Sequence, residues 1–244
     1  MKIEDEDYTI HVKSNLGERC DAGLSCGGLA HHAIAIGSEA QAYQEDKKYM
    51  KKLAVIFPGI GYHTDKPLLY YSRMIARRAG YEIVEVPYKN FPPKIRGDIE
   101  KMKQALEVGL NQAEAMLDHI RFYEYNHIVF ISKSIGTAIA SAYAVRHGLR
   151  ADHLWYTPLA ETFQALDDRQ SQGHIIAFHG SADPWADTAG LEKLCRNAGI
   201  PLYLTEGGNH SLETGDAIMD LKTLMKVMIQ TEEFFSQNRR DDSD

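Results

Sequence analysis

The chain has 244 residues, 44% of them apolar, and a formal net charge of -7. That length suits one α/β domain with a substantial core, and a moderately acidic balance argues against binding a nucleic-acid backbone, which normally takes a basic face. No stretch approaches the roughly 18 apolar residues of a membrane span. The acidic opening, Met1 to Asp7, is unlike the basic-then-apolar start of a secretory signal, so the chain reads as cytoplasmic.

The three cysteines, Cys20, Cys26 and Cys195, are too few for a disulfide scaffold. Cys20 and Cys26 lie near His31 and His32, but the gap between the two cysteines fits zinc spacing poorly. A reduced, structural pair is expected there, with no metal.

Residues 1–50 carry two alternating segments, Tyr8 to Lys13 and His32 to Ile36, which suggest two strands leading into a sheet. From Lys51 onward strands and helices alternate, the pattern of a parallel sheet covered on both faces. Leu53 to Phe57 is a continuous apolar run and reads as a buried strand. A helix over Pro67 to Ala79 ends at Gly80. A strand over Tyr81 to Val86 follows, then a proline-rich loop, then a helix over Asp98 to Phe122 with Ile99, Met102, Leu106, Leu110 and Leu117 at helical spacing. His127 to Ile131 is the next strand, followed by a helix rich in alanine. Strands are expected at His153 to Tyr156, His174 to Phe178 and Leu202 to Thr205. Helices are expected at Leu159 to Leu166, Ala186 to Asn197 and Leu212 to Phe235. The polar tail, residues 238–244, reads as frayed. The whole, residues 1–244, reads as a single domain.

Ser134 sits in Ser132-Lys133-Ser134-Ile135-Gly136, between a strand and a helix. A serine held at such a turn has its hydroxyl pushed out beyond the carboxyl edge of the sheet, and its neighbours two residues away must be small. Gly136 and Ser132 are both small. A plain helix start, with Ser132 or Ser134 as N-cap, is the alternative.

Two further loops lie beyond strand ends, where open α/β sheets bind ligands. One is His179-Gly180-Ser181-Ala182-Asp183-Pro184; the other is Gly207-Gly208-Asn209-His210-Ser211. A serine hydroxyl needs a base to take its proton. His210 is the candidate base, and Asp183 the candidate acid that would fix its tautomer. Asp187 or Asp168 could replace Asp183, and His210 could instead cap the last helix. After the strand Leu53 to Phe57 comes Pro58-Gly59-Ile60-Gly61-Tyr62-His63. The backbone N–H groups of Ile60 and Ile135 are candidates for an oxyanion hole, which stabilises charge developing only in the transition state. Gly59 and Gly61 would let the backbone approach substrate.

These segments, spanning Leu53 to Ser211 most firmly, make the chain resemble the α/β-hydrolase superfamily, and in flavour its small esterase-like and dienelactone-hydrolase-like members. The serine, aspartate and histidine follow in that superfamily's order. Two positions differ: Ser132 stands where glycine is usual, and Pro58 where many members have histidine. The resemblance implies a mostly parallel eight-stranded sheet with helices on both faces. Only one short helix fits between Tyr156 and His174, so no large cap domain and an open site are expected.

Tyr62 and Trp185 are expected to line the substrate pocket, with His63 on a polar rim. Lys133 reads as an exposed lysine, and His31, His32 and His179 as structural histidines. The expected function is that of a serine hydrolase cleaving a carboxylic ester or thioester of a small-molecule acyl substrate, without a cofactor. Acyl transfer or peptide cleavage by the same residues, or a non-catalytic binding protein on the same fold, are the alternatives. A dinucleotide-binding reading fails because Pro58-Gly59-Ile60-Gly61 lacks the third glycine of that fingerprint.

Overall fold

A computed structural model describes residues 50–164 and 172–237 of the chain. The two expected N-terminal strands, the Cys20, Cys26, His31 and His32 group, Asp168 and the tail lie outside the described residues. Among the described residues, no helix is long and apolar enough to cross a membrane.

The elements run β1 (Lys52–Phe57), α1 (Pro67–Arg78), β2 (Tyr81–Glu85), α2 (Ile99–Leu117), a 3₁₀ turn (Phe122–Glu124), β3 (His127–Lys133), α3 (Ile135–Arg146), β4 (Ala151–Tyr156), α4 (Ala160–Gln164), β5 (Gln172–Gly180), α5 (Thr188–Ala198), β6 (Leu202–Thr205) and α6 (Ala217–Gln237). The six described strands form one sheet in the order β2-β1-β3-β4-β5-β6. Every pairing is parallel.

Period-two alternation sorts side chains between two layers. Along β1, Leu53, Val55 and Phe57 join a core with Ile128 and Phe130 of β3 and with α2 and α3. Ala54 and Ile56 join the opposite core with Val129, Ile131, Tyr156 and the helices α1 and α6. All five residues Leu53 to Phe57 are fully buried, as a central parallel strand with helices on both faces requires. A smaller core forms where Trp155, Ile175 and Ala177 meet Leu191 and Cys195 of α5.

Strand order places the site. The chain goes from β1 outward to β2, then returns to lay β3 on the other side of β1. The carboxyl ends of β1 and β3 therefore flank a topological switch point, the crevice where such sheets bind ligands. Phe57 lies in register with Ser132 there, so the Pro58-Gly59 loop and Ser134 emerge side by side.

A buried hydroxyl network fastens the α1 and α6 layer. The Tyr156 hydroxyl lies 2.8 Å from Ser72 Oγ and 2.7 Å from Thr231 Oγ1. Ser72 and Thr231 each donate in turn to the carbonyl four residues earlier in their own helix.

The last helix begins later than its apolar pattern suggests. Leu212 is in the left-handed region with φ 62°, yet its side chain is buried. The carboxylate of Asp216 accepts from the amides of Ile218 and Met219, so the helix is capped there and starts at Ala217. Between β4 and β5 the described residues contain only α4, a helix of five residues, and no cap domain is inserted.

Candidate active site

Ser134 joins β3 directly to α3 with φ 55° and ψ -127°. That geometry is strained for a residue with a Cβ and costs of order 1–3 kcal/mol unless the surroundings hold it. Here the Ser134 amide donates to the Tyr156 carbonyl at 2.9 Å, and its carbonyl accepts from the Thr137 amide at 2.9 Å. Gly136 makes the turn possible: a Cβ there would lie 2.3 Å from the Phe57 carbonyl oxygen. Helix α3 thus starts against the end of β1.

The loops carrying Asp183 and His210 are sewn together by backbone. Ser181 N donates to Thr205 O, and Ala182 N donates to Gly208 O, each at 2.9 Å. Gly180 lies under this seam, where a Cβ would stand 2.2 Å from the Gly208 oxygen. Asn209 shapes the histidine turn, its side-chain oxygen accepting from Ser211 N at 2.7 Å and from Glu213 N at 3.2 Å.

The three side chains meet. His210 Nε2 is 2.7 Å from Ser134 Oγ, and His210 Nδ1 is 2.7 Å from Asp183 Oδ2. The other carboxylate oxygen of Asp183 accepts from the Trp185 amide at 2.9 Å. Asp187, the alternative acid, is engaged elsewhere: it caps α5 by accepting from Gly190 N at 2.7 Å.

Burial pushes the Asp183 carboxyl up, but the hydrogen bond and charge of His210 and the Trp185 amide outweigh it and hold the group below its ordinary value. His210 is lowered, first by burial and then by repulsion from Lys133, against the opposing pull of Asp183. Both shifts favour a carboxylate beside a neutral imidazole. His179 packs behind them with Nδ1 3.6 Å from Asp183 Oδ2, and its Nε2 is 3.2 Å from Thr188 Oγ1.

The glycine loop lies against Ser134. A Cβ at Gly59 would be 3.1 Å from Ser134 Cβ. Gly59 and Tyr62 exchange both backbone hydrogen bonds at 3.2 Å, which puts Ile60 and Gly61 at the tip of the turn with their amides outside that pairing. Ile135 is the first residue of α3, where an amide has no partner within the helix. Gly59, Ile60, Gly61 and His63 line a cavity of about 450 Å³ together with Tyr88 and Phe91.

Trp185 stacks on the His210 ring, with centroids 5.4 Å apart. Tyr62 is buried instead; its hydroxyl accepts from Leu68 N, and it lines a second cavity, of about 290 Å³, with Leu212, Leu224 and Val227. The largest correction concerns Lys133, which is fully buried and not exposed. Strand parity explains it. Lys133 follows Val129 and Ile131 onto the α1 and α6 face, where its Nζ lies 5.0 Å from the Tyr62 ring centroid and 2.5 Å from Thr157 Oγ1. Asn209 belongs to the Gly-Asn-His segment, whereas Thr157, whose hydroxyl donates to the His210 carbonyl, carries no motif in the sequence. Among the described residues, no group of three or more His, Cys, Asp or Glu is placed to hold a metal.

No protein-family model matches the sequence, and no curated protein does either. Solved structures do match. A candidate α/β hydrolase of unknown function from Agrobacterium tumefaciens aligns with TM-score 0.55 at 12% identity, over 79% of this chain and 87% of that one. Esterase PE8 aligns with TM-score 0.53 at 16% identity, over 72% and 91%. A serine hydrolase without a lid from Xanthomonas campestris aligns with TM-score 0.50 at 11% identity, over 75% and 79%. At such identities the likeness speaks for the architecture, and with the strand order it establishes that this chain has the α/β-hydrolase fold, with no large cap domain among the described residues.

Proposed function

We propose that the protein is a serine hydrolase that cleaves carboxylic esters or thioesters of small molecules through an acyl-Ser134 intermediate. The observation that carries this reading is the unbroken chain Ser134 Oγ, His210, Asp183, with both contacts at 2.7 Å, on a strained turn at the sheet's switch point. Ser134 and His210 come from loops 76 residues apart, and an incidental helix cap would not need a histidine held by a buried carboxylate.

The steps follow from the geometry. Ser134 Oγ attacks the acyl carbon as its proton passes to His210 Nε2. Asp183 stabilises the imidazolium without taking the proton. The carbonyl oxygen becomes an oxyanion, stabilised by the amides of Ile135 and Ile60; one such donor is worth roughly 3 kcal/mol. Collapse expels the alcohol or thiol, which takes its proton from His210. Water then attacks the acyl-enzyme, giving its proton to His210, and the acid leaves as Ser134 recovers its proton. Substrate would reach the serine past Gly59, Gly61 and Trp185.

Hydrolysis of p-nitrophenyl acetate and butyrate tests this. Wild-type turnover should fall by at least about 10³-fold in Ser134→Ala and in His210→Ala. A wild type with no turnover, and no reaction with ester or thioester panels, would leave a binding protein on this fold as the better reading.

A further inference from the structure

Lys133 is the one fully buried cation among the described residues, and nothing in the acyl-transfer steps uses it. Its position is peculiar. It precedes Ser134 in the chain, runs beneath the glycine loop and ends beneath the histidine loop. A Cβ at Gly59 would lie 3.5 Å from Lys133 Cγ, so the stem packs under the loop that carries Ile60. The ammonium lies against the Tyr62 ring and donates to Thr157 Oγ1 at 2.5 Å.

Thr157 continues the line. Its hydroxyl donates to the carbonyl oxygen of His210 at 3.3 Å. Thr157 has φ 45°, an outlier for a β-branched residue, and its amide is held by the Phe178 carbonyl at 2.7 Å. The backbone strain aims one hydroxyl at both Lys133 and His210. Hydrogen bookkeeping then fixes the direction. An ammonium can only donate, so Thr157 accepts from it and has its own O–H free for His210 O. A neutral amine could accept from Thr157 instead, and the hold on the histidine loop would be lost.

We propose that Lys133 is a positioning residue for His210: its ammonium donates to Thr157, whose hydroxyl holds the His210 carbonyl, and the charge one hydroxyl away from that residue repels a proton on its ring. This rests on His210 acting as the base of the acyl-transfer reading.

Two carboxylates offset only part of the cost of burying this ammonium. Asp183, after β5, and Glu213, after the histidine, attract it, and Lys66, before α1, opposes it. Burial dominates and brings Lys133 down to about 7. In the acid range where an imidazole titrates, Lys133 is therefore charged, and its repulsion of a protonated His210 operates there. His179, on β5, feels the same charge. Ser134 and Trp185 also contact the His210 ring.

The test uses kcat/KM for p-nitrophenyl acetate against pH, and the NMR titration of the His210 ring in a Ser134→Ala background, which needs no turnover. Below pH 7, where Lys133 carries its proton, Lys133→Met should lower kcat about 10- to 100-fold with KM little changed, as expected for a misplaced base. It should also move the acid limb, and the His210 titration, up by about half a unit to one unit. Lys133→Gln keeps a donor without the charge. It should retain most of kcat and still show the upward shift, and it serves if the methionine variant does not fold. Thr157→Val should lower kcat without moving the limb, and Thr157→Ser should restore it. The proposal is overturned if His210 titrates at the same pH with lysine, glutamine and methionine at position 133. If the wild type shows no esterase activity, the NMR titration still decides the electrostatic link while the acyl-serine reading alone fails.

Discussion

Gly180→Ala probes how tightly the loops carrying Asp183 and His210, the proposed acid and base, are built into one frame. The added Cβ would lie 2.2 Å from the Gly208 oxygen and 2.5 Å from the Gly208 carbonyl carbon, where real contacts are no shorter than 3.0 Å. Both neighbours are backbone, so no side chain can turn away. The strand end and the Gly208-Asn209 segment must part by about 0.8 Å to reach that limit, starting from the distances at Gly180. His210 is the second residue after Gly208, and its bond to Asp183 starts at 2.7 Å. A shift of that size stretches the bond to about the limit of a useful hydrogen bond. Overpacking of this kind costs about 1–3 kcal/mol, or roughly 2–10 °C in Tm for a chain of this size. A misplacement near 1 Å in a catalytic constellation costs about 100-fold. The expected result is a folded protein by circular dichroism, with lowered Tm and kcat/KM for p-nitrophenyl acetate down about 100-fold, mostly in kcat. A variant with wild-type Tm and wild-type kcat would show that the seam between the two loops does not position the site.

Other outcomes follow from the same structure. His210 is lowered from 6.5, by burial first, and as the proposed base it must be neutral to accept the serine proton; the acid limb of kcat/KM should therefore fall below pH 6.5. Lys133 is lowered from 10.5 to about 7, so between those values the unfolded chain binds the extra proton, and this group makes stability rise with pH across that window. Tm measured at pH 6.5 and pH 9 should rise more in wild type than in Lys133→Met, and equal slopes would contradict the buried ammonium. Tyr156→Phe removes the centre of the hydroxyl network and leaves Ser72 and Thr231 with only their helix carbonyls; chemical denaturation should show a loss of about 1–3 kcal/mol. Burial raises the Cys195 thiol to about 12, so peptide mass spectrometry after iodoacetamide at pH 8 should find it unmodified in the native protein and modified in urea.

Much of this molecule could be read from local pattern. Leu53 to Phe57 announced a central strand because burial on both faces leaves no room for polar alternation. That Ser134, Asp183 and His210 come together was legible because each follows a recognisable strand, and strand ends in a parallel sheet share one edge. The choice of Asp183 over Asp187 was not local: both are acidic residues in one loop, and only the backbone path turns one toward His210 and the other onto the start of α5. Lys133 was misread because charge usually signals solvent. The signal that could have corrected the reading was its parity with Val129 and Ile131. What accommodates it, Tyr62 and Thr157, comes from other loops and has no signature in the chain. The late start of α6 had the same kind of cause. The apolar period ran on through Leu212, but Asp216 captures the first amides and defines the end.

Ser134 is the proposed nucleophile. Intact-mass measurement after treatment with a fluorophosphonate tests that role directly, because the reagent phosphonylates a serine activated by a neighbouring base whatever the natural substrate. The wild type should acquire one adduct, mapped to the peptide containing Ser134, and Ser134→Ala none. A wild type that does not react, or a Ser134→Ala protein that still acquires the adduct, would contradict that role.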